Sequence, residues 1–336
     1  IPEFDEAMNP LYMINRLAQG EHILVSWKLD PYYDNSINDS YYEESIKKAA
    51  EIGLPLVFIV PAPESALTKD SYYFEMSLTD NHNVYNTAGK LFPMLSPFGP
   101  DELWSEVGEQ WSSSDIMQQI QEWYPNPPLV LFVNEDEAKK LSWEQVRNYS
   151  HRYRAQYKDK GDESRRGLVN KQWQNKYKQL HDGFKKGFVT KAWQKAVKFI
   201  SYNKLAEKIG VDGNWANGTT YTSQYTNVWP LTTDGITIDF DLREERNDNS
   251  VNSPHFLANN LPFMLKEAKK QNPNFAYQLN VNDNGKIEDV SRYRGLTQFA
   301  LWFLKPSTIR QASEFSTRDE LTPLFKEVVD SVELIH

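Results

Sequence analysis

The chain of 336 residues contains no cysteine, and this absence is its first constraint on chemistry. Without cysteine there are no disulfides, no thiolate metal sites and no cysteine nucleophile. Only six histidines are present, and none are paired at ligand spacing on an evident helix. We therefore expect neither a cofactor nor a metal ion in the chemistry of this chain.

Long apolar runs and a surplus of basic residues are also missing. The longest apolar runs, Leu54 to Val60 and Leu129 to Val133, are far shorter than the roughly 20 residues needed to span a bilayer. A net charge of -9 disfavours nucleic acid as a partner, because phosphate contacts need clustered Lys and Arg. We expect no membrane and no nucleic-acid partner, and we leave homo-oligomerisation open. We also expect a secreted or periplasmic location, with the signal peptide absent from a chain that begins at Ile1.

Several well-known catalytic motifs are absent as well. No Gly-rich dinucleotide or nucleotide loop, zinc-binding His-Glu-x-x-His or serine-hydrolase elbow stands at the end of an apolar run. Aromatic residues, by contrast, are abundant, with 10 Trp, 18 Tyr and 17 Phe. Most aromatic residues pack in cores, but flat rings with polar edges also suit stacking against sugar rings.

The apolar runs alternate with segments of helical character, which is typical of parallel strands joined by crossover helices. This pattern and the chain length predict an α/β fold, a single (β/α)8 barrel over residues 1–336 with long loops on the catalytic face. The predicted strands are Ile23 to Trp27, Leu56 to Val60, Leu129 to Val133, Val197 to Ser201, Ile236 to Phe240, Phe275 to Leu279 and Phe299 to Phe303. Leu91 to Ser96 would complete eight, although Pro93 within it is unusual for a central strand. Leu129 to Val133 is then strand four and Phe275 to Leu279 strand seven.

The predicted helices show recognisable stop signals. They are Tyr41 to Ile52 closing at Gly53, Ser114 to Trp123 before Pro125, Lys171 to Lys186 closing at Gly187, and Phe256 to Gln271 before Pro273. Two polar stretches remain. Lys158 to Arg166 is predicted to be a solvated loop or helix face, and Gly210 to Thr233 a long loop of the catalytic face.

The sharpest feature is an apolar run, Leu129 to Val133, that ends in Asn134 and Glu135. Active sites of barrels lie at the carboxyl ends of the strands, so Glu135 is expected in the barrel mouth. Asp136 and Glu137 follow directly. They could compete with Glu135 for its role, but they are expected to begin the next loop or helix, where negative charge favours the N-terminus.

Val133-Asn-Glu135 resembles the ending of strand four in the clan A retaining glycoside hydrolases. The resemblance implies that Glu135 is the acid/base, that Asn134 hydrogen-bonds the hydroxyl next to the anomeric carbon, and that a Glu at the end of strand seven is the nucleophile. In this chain the matching position is Gln278. An amide cannot attack the anomeric carbon, so the chain as it stands is expected to be inactive in the usual double displacement.

Three explanations of Gln278 stay open at this point. A Glu was exchanged for Gln, which keeps the shape and removes the reactivity. Alternatively, the chain is a carbohydrate-binding pseudoenzyme by nature. In the third case the strand count is wrong, and the working carboxylate is one of those near predicted strand six, namely Asp239, Asp241, Glu244 and Glu245.

Other segments, such as Ser96 to Pro100 and Thr297 to Pro306, resemble bacterial marine-polysaccharide-degrading barrels of the agarase, carrageenase and β-galactosidase type. That resemblance implies a β-linked polysaccharide, with a sulfated or unsulfated algal galactan as first candidate, and laminarin-like glucans, xylans and mannans stay open. Lys28, Arg243 and Arg246 could pair with sulfate or carboxylate groups. The predicted substrate-binding residues are Asn134, Trp27, Tyr32, His82, Trp104, Asp239, Asp241, Arg243, Tyr277 and Trp302. Glu135 and the side chain at 278 are expected to end about 5 to 5.5 Å apart.

Overall fold

The computed structural model describes residues 26–29, 40–60, 83–85, 91–137, 150–157, 162–202, 234–241, 276–282 and 305–312, with short pieces between 262 and 334. The strands are β1 Ser26–Lys28, β2 Leu56–Val60, β3 Asn83–Tyr85, β4 Leu91–Leu95, β5 Val130–Glu137, β6 Val197–Tyr202, β7 Gly235–Asp241, β8 Ala276–Asn282 and β9 Thr308–Ala312. The helices are α1 Ser40–Glu51, α2 Asp101–Ser112, α3 Asp115–Trp123, α4 His151–Tyr157, α5 Asp162–Gly187 and α6 Lys191–Ala196.

Seven strands form one sheet in the order β1-β2-β5-β6-β7-β8-β9. Every neighbouring pair is parallel. The order follows the chain without reversal, whereas a doubly wound sheet reverses direction at a switch point. The predicted α/β class is confirmed, and the sheet is wound in the manner of a (β/α)8 barrel.

Two of the predicted strands are wrong as members of this sheet. Leu91 to Ser96 does contain a strand, but β4 pairs antiparallel with β3 in a separate two-stranded sheet. Pro93 explains this, because proline donates no ladder hydrogen bond and is confined to edges and irregular positions. Phe299 to Phe303 is not a strand either: residues 298–299 and 301–302 are helical, and the last described strand is β9.

These corrections change the strand numbers but not the separation between the strand of Glu135 and the strand of Gln278. β2 pairs directly with β5, so the strand of Glu135 is third in the sheet and the strand of Gln278 is sixth. The sequence predicted strands four and seven. In both counts the two strands are three positions apart.

The sheet has one face covered by helices and one inner face. On the covered face, Phe58, Phe132 and Phe199 are paired in register, and their rings stack with centroids 5.3 and 5.8 Å apart. This row belongs to a large core with Trp111 of α2 and Phe184 of α5. On the inner face a smaller apolar cluster is formed by Val57, Ile59, Leu131, Val133 and Ile200.

Most predicted helices are present, with shifted starts. α1 ends just before Gly53, whose φ of 69° is the left-handed conformation that glycine adopts at helix ends. α3 matches its prediction to within one residue, and α5 begins nine residues earlier than predicted, at Asp162. Part of the charged stretch Lys158 to Arg166 is therefore helical. The loop Gly210 to Thr233 and most of Phe256 to Gln271 lie outside the described residues.

α2 and α5 pack backbone to backbone at three glycines. A Cβ at Gly183 would overlap the Ser105 carbonyl, and one at Gly108 would overlap the Leu180 carbonyl. A Cβ at Gly187 would overlap the Ser112 hydroxyl. The two helices can approach this closely only because these positions carry no side chain.

A buried ammonium also joins the two helices. The Lys176 side chain is 3% exposed, and its Nζ contacts Asp101 Oδ1 and the Gly99 carbonyl. Asn175 Nδ2 donates to both Asp101 carboxylate oxygens at 3.0 Å. Burial alone would raise the pKa of Asp101, but the hydrogen bonds from Lys176 and Asn175 outweigh it and hold the pKa below its ordinary value.

We expect Asp101→Asn to lower the free energy of unfolding at pH 7 by about 1–3 kcal/mol, since a hydrogen bond to a charged partner is lost. The value belongs at the lower end because the Asp101 side chain is 43% exposed. A carboxyl whose pKa is depressed by folding stabilises the protein above its unfolded-state pKa, and this stability is lost as the pH falls through the folded-state pKa. Urea unfolding between pH 7 and pH 2 should therefore show the two proteins converging in acid.

Asp182→Asn is the matched control for this change. Asp182 is an exposed carboxylate of α5 that pairs with Lys178 in the same helix, and such pairs contribute about 0.3–0.5 kcal/mol. If Asp101→Asn lowered the free energy of unfolding by the same amount at every pH, the charge argument would be contradicted and the loss would be due to packing.

Candidate functional site

Polar residues form three rows across the last three strands of the sheet. The register pairs each residue of β7 with one of β8, and each of these with one of β9. Eight of the nine positions in the three rows are polar. The rows are Thr237-Gln278-Thr308, then Asp239-Asn280-Arg310, then Asp241-Asn282-Ala312.

The alternate positions of the same strands are apolar or aromatic, with one exception. They are Ile236, Tyr277, Ile238, Leu279, Ile309, Phe240 and Val281, and the exception is Gln311. Gly235 and Ala276 lie in the row of Ile200, which belongs to the inner-face cluster. Successive residues of a strand alternate between faces, so the polar rows two, four and six residues further on occupy inner-face positions.

Such an alternation is unusual for a parallel sheet. Parallel strands covered on both faces are normally apolar throughout. Here the inner face is apolar at the amino ends of the strands and polar towards the carboxyl ends. Because the carboxyl ends carry the active sites of barrel enzymes, we take these rows as one wall of the candidate site.

β5 brings Asn134 and Glu135 to the same end of the sheet. Asn134 is 4% exposed and pairs in register with Val60, a residue of the helix-covered core, so its register position is in the alternate set and not on the inner face. Asp136 and Glu137 still belong to β5, so the expectation that they begin the next loop or helix is wrong. Beyond Val133 the ladder with β6 shifts: Val133 pairs with Ile200, but Glu137 pairs with Tyr202. Four residues of β5 thus oppose two of β6, an irregularity of the kind found next to active sites.

This shift determines where Glu135 lies along β5 relative to the residues of the neighbouring strands. Glu137 is linked through Tyr202 and Thr237 to the row of Gln278. Val133 is linked in the same way to the row of Ala276. Glu135 lies between Val133 and Glu137 along β5. Its position therefore differs from the row of Gln278 by no more than one pleat, and the two strands are three positions apart in the sheet. The predicted distance of about 5 to 5.5 Å between their side-chain ends remains a prediction.

Two of the predicted sugar-stacking tryptophans lie in the core. Trp27 is 1% exposed, belongs to the helix-covered core and donates from Nε1 to Ser45 Oγ at 2.9 Å. Trp104 is also 1% exposed and packs on Tyr177, with ring centroids 5.9 Å apart. Trp111 is fully buried in the same core as Trp27. Since none presents a ring face to solvent, we do not include them in the site.

Two further candidates lie away from the polar rows. Trp302 is 65% exposed, but it precedes the amino end of β9, whereas the polar rows lie towards the carboxyl ends. Tyr277 shares a row with Ile236, which is the alternate set of positions. Tyr32, His82 and Arg243 lie outside the described residues, as do Glu244, Glu245 and Arg246.

The structure adds site residues that the sequence interpretation missed: Thr237, Asn280, Asn282, Thr308 and Arg310. Asn280 and Asn282 could have been found, because Gln278, Asn280 and Asn282 alternate with apolar residues. Arg310 could not, since its strand was placed at Phe299 to Phe303. Within the part of the chain that the structure describes, no group of three or more His, Asp or Glu residues could hold a metal ion. No helix among those residues is long and apolar enough to cross a membrane.

No protein-family model matches the chain, and no curated protein matches it. Solved structures similar to it include an endo-β-1,4-mannanase double mutant from Cellulomonas fimi, with a TM-score of 0.49, 10% identity, and coverage of 98% of this chain and 68% of the mannanase. D-psicose 3-epimerase from Clostridium cellulolyticum H10 has a TM-score of 0.39, 8% identity, and coverage of 99% and 93%. A thermostable mutant of a xylanase from Cellvibrio japonicus has a TM-score of 0.37, 9% identity, and coverage of 90% and 85%. The chain spans 65% of the length of another Cellulomonas fimi mannanase structure. Similarities this distant, to enzymes of different chemistry, assign no reaction to the chain.

Proposed function

We propose that this chain is the barrel of a retaining glycoside hydrolase, with Glu135 as acid/base and position 278 as the seat of the nucleophile. The observation that supports it best is that Glu135 lies within one pleat of the row of Gln278, on a strand three positions away in the sheet. Both lie where the inner face turns from apolar to polar. With Gln278 in place of Glu, the chain binds its substrate without completing the reaction.

The chemistry requires two carboxyl groups with different roles. One donates a proton to the leaving oxygen, and the other attacks the anomeric carbon to form a glycosyl ester, which water then hydrolyses. With an ionised nucleophile nearby, the pKa of the acid is raised, and it falls once the ester has formed. Gln278 removes both the attacking oxygen and this electrostatic coupling, while the amide keeps nearly the same shape.

The proposed substrate is a β-linked polysaccharide, with an algal galactan of the agar or carrageenan type as the first candidate from the sequence resemblance. A secreted or periplasmic location would suit a polymer that cannot enter the cell. The second candidate function is carbohydrate binding without catalysis. It is favoured by Gln278 itself, because the amide cannot act as a nucleophile.

Gln278→Glu tests the proposal directly. We expect it to confer hydrolysis on at least one of agarose, κ-carrageenan, laminarin, xylan and mannan, measured as released reducing ends. The gain over the unmodified chain should be about 10³-fold or more, as expected when the key group of a catalytic pair is restored. NMR of the first product should show the anomeric configuration of the substrate.

Asn280→Asp is the matched control for this experiment. It adds one carboxylate to the same strand, two residues further on and at the same face position, and we expect no hydrolysis from it. If Gln278→Glu degrades no polymer of the panel while the unmodified chain binds one, the chain is a binding protein.

A further inference from the structure

We propose that the row Asp239-Asn280-Arg310, with Asp241 and Asn282 beyond it, is a subsite for an uncharged, hydroxyl-rich sugar ring and disfavours rings that carry sulfate or carboxylate. This inference rests on the proposed function and adds the charge class of the substrate. It also narrows the galactan candidates to the unsulfated, agar-like ones.

The subsite adjoins the proposed reaction centre. Asn280 lies two residues beyond Gln278 on β8, and Asp239 and Arg310 are its register partners on β7 and β9. Two residues of a strand span about 6.5 Å. The row is therefore one step from position 278 towards the carboxyl ends, where a neighbouring sugar unit would lie.

The charges of these inner-face positions are predominantly negative. Asp239 and Asp241 follow one another on β7, and Glu135 and Glu137 lie on β5 at the level of Gln278. Against these four carboxylates the three polar rows carry one cation, Arg310. A second cation, Lys28 of β1, lies at an inner-face position one row before Gln278. Arg310 shares its row with Asp239, two strand spacings or about 10 Å away between backbones, so the formal charges of that row sum to zero.

Carboxylates and amides suit hydroxyl groups well. A carboxylate accepts hydrogen bonds from hydroxyls, and the Asn and Gln amides both donate and accept. A sulfate or carboxylate on the sugar would meet like charges from β7 and β5, and would have to compete with Asp239 for Arg310. Like-charge juxtaposition costs free energy and rejects the wrong ligand.

The test is binding by the chain with Gln278 to matched neutral and anionic oligosaccharides. Desulfated and native κ-carrageenan oligosaccharides share one galactan backbone and differ in sulfate alone, and carboxyl-reduced and native glucuronoxylan oligosaccharides differ in the carboxylate alone. We expect the anionic member of a pair to bind about 100-fold more weakly by calorimetry, as expected where like charges are juxtaposed. The double change Asp239→Asn with Asp241→Asn should narrow this ratio to about 10-fold or less, and Arg310→Gln should widen it.

Glu44→Gln is the control. It removes one carboxylate from an exposed position of α1, on the helix-covered side of the sheet, and should leave the ratio unchanged. Tighter or equal binding of the anionic member overturns the proposal, as does a ratio that the β7 and β9 variants do not move, or no binding to any pair. Hydrolysis of a sulfated polymer by Gln278→Glu would overturn the neutral subsite and leave the hydrolase standing. Preferential binding of the neutral oligosaccharides without hydrolysis by Gln278→Glu would overturn the hydrolase proposal and leave the neutral subsite standing.

Discussion

Gly183→Ala should destabilise the protein by about 3 kcal/mol or more, although the same change usually stabilises a helix. Gly183 lies within α5, where Ala is the better helix former by about 1 kcal/mol. The added methyl would overlap the backbone carbonyl of Ser105 in α2. A carbonyl in a helix cannot rotate away as a side chain can, so α2 and α5 would have to separate. That separation would loosen the packing of Trp111 against Phe184, whose ring centroids are 4.3 Å apart.

Gly295→Ala is the matched control for this prediction. Gly295 is also helical, and a Cβ there has no atom within 4 Å among the described residues. We expect this variant to be unchanged or stabilised by about 0.5–1 kcal/mol. Urea or thermal unfolding of the two variants should give effects of opposite sign. Equal stability of both variants would contradict the backbone overlap.

The close packing of α2 and α5 at Gly108, Gly183 and Gly187 shows which structural features could not be predicted from the sequence. Gly183 and Gly187 lie four residues apart in a predicted helix, so their common face was visible. Which helix packs against that face depends on contacts far along the chain, at Ser105 and Ser112. Hydrophobic periodicity predicts which segments are helices, but it does not predict which helices pack against each other.

The strands show the same division. Continuous apolar runs identified β2 and β5, as expected for buried parallel strands. β6, β7 and β8 were identified by apolar residues that alternate with polar ones. Phe299 to Phe303 was misplaced because a short apolar run fits a helix as well as a strand. β9 was missed because Thr308, Arg310 and Gln311 make it mixed in character, and that mixture follows from its position at the polar end of the inner face.

The part of the candidate site where an apolar strand ends in a carboxylate could be predicted from the sequence. Sugar-stacking residues, which were chosen by residue type alone, could not. Asn134 and Glu135 stood out because an apolar run ends abruptly at them. A tryptophan combines a large apolar surface with a polar edge, so sequence alone does not separate a core position such as Trp27 from a sugar-stacking one. The inner-face polar rows need the register of β7 to β9, which only the structure supplies.

Glu135→Gln, made together with Gln278→Glu, should lower kcat/KM about 10²- to 10⁴-fold on polysaccharides, the usual contribution of general acid-base catalysis. Glu135 protonates the leaving oxygen, so substrates with poor leaving groups should suffer most. Aryl glycosides with good leaving groups need no proton in the first step and should still form the glycosyl ester. Azide should then restore turnover on those activated substrates alone, because it needs no general base to attack the ester.

Glu137→Gln in the same Gln278→Glu background separates the two glutamates of β5. Glu137 lies in the row of Gln278 through the shifted ladder, so it is the nearest competitor for the acid/base role. We expect Glu135→Gln to remove the limb of the pH-rate profile that reports the protonated acid, and azide to restore turnover of that variant. Glu137→Gln should keep this limb and should not respond to azide. If the rescue instead follows Glu137, the acid/base is one pleat further along β5. If the product is inverted, the carboxyl groups must be about 6.5–9.5 Å apart to admit a water molecule. Asp239 and Asp241 on β7, two strands from β5, would then be the candidates for the general base.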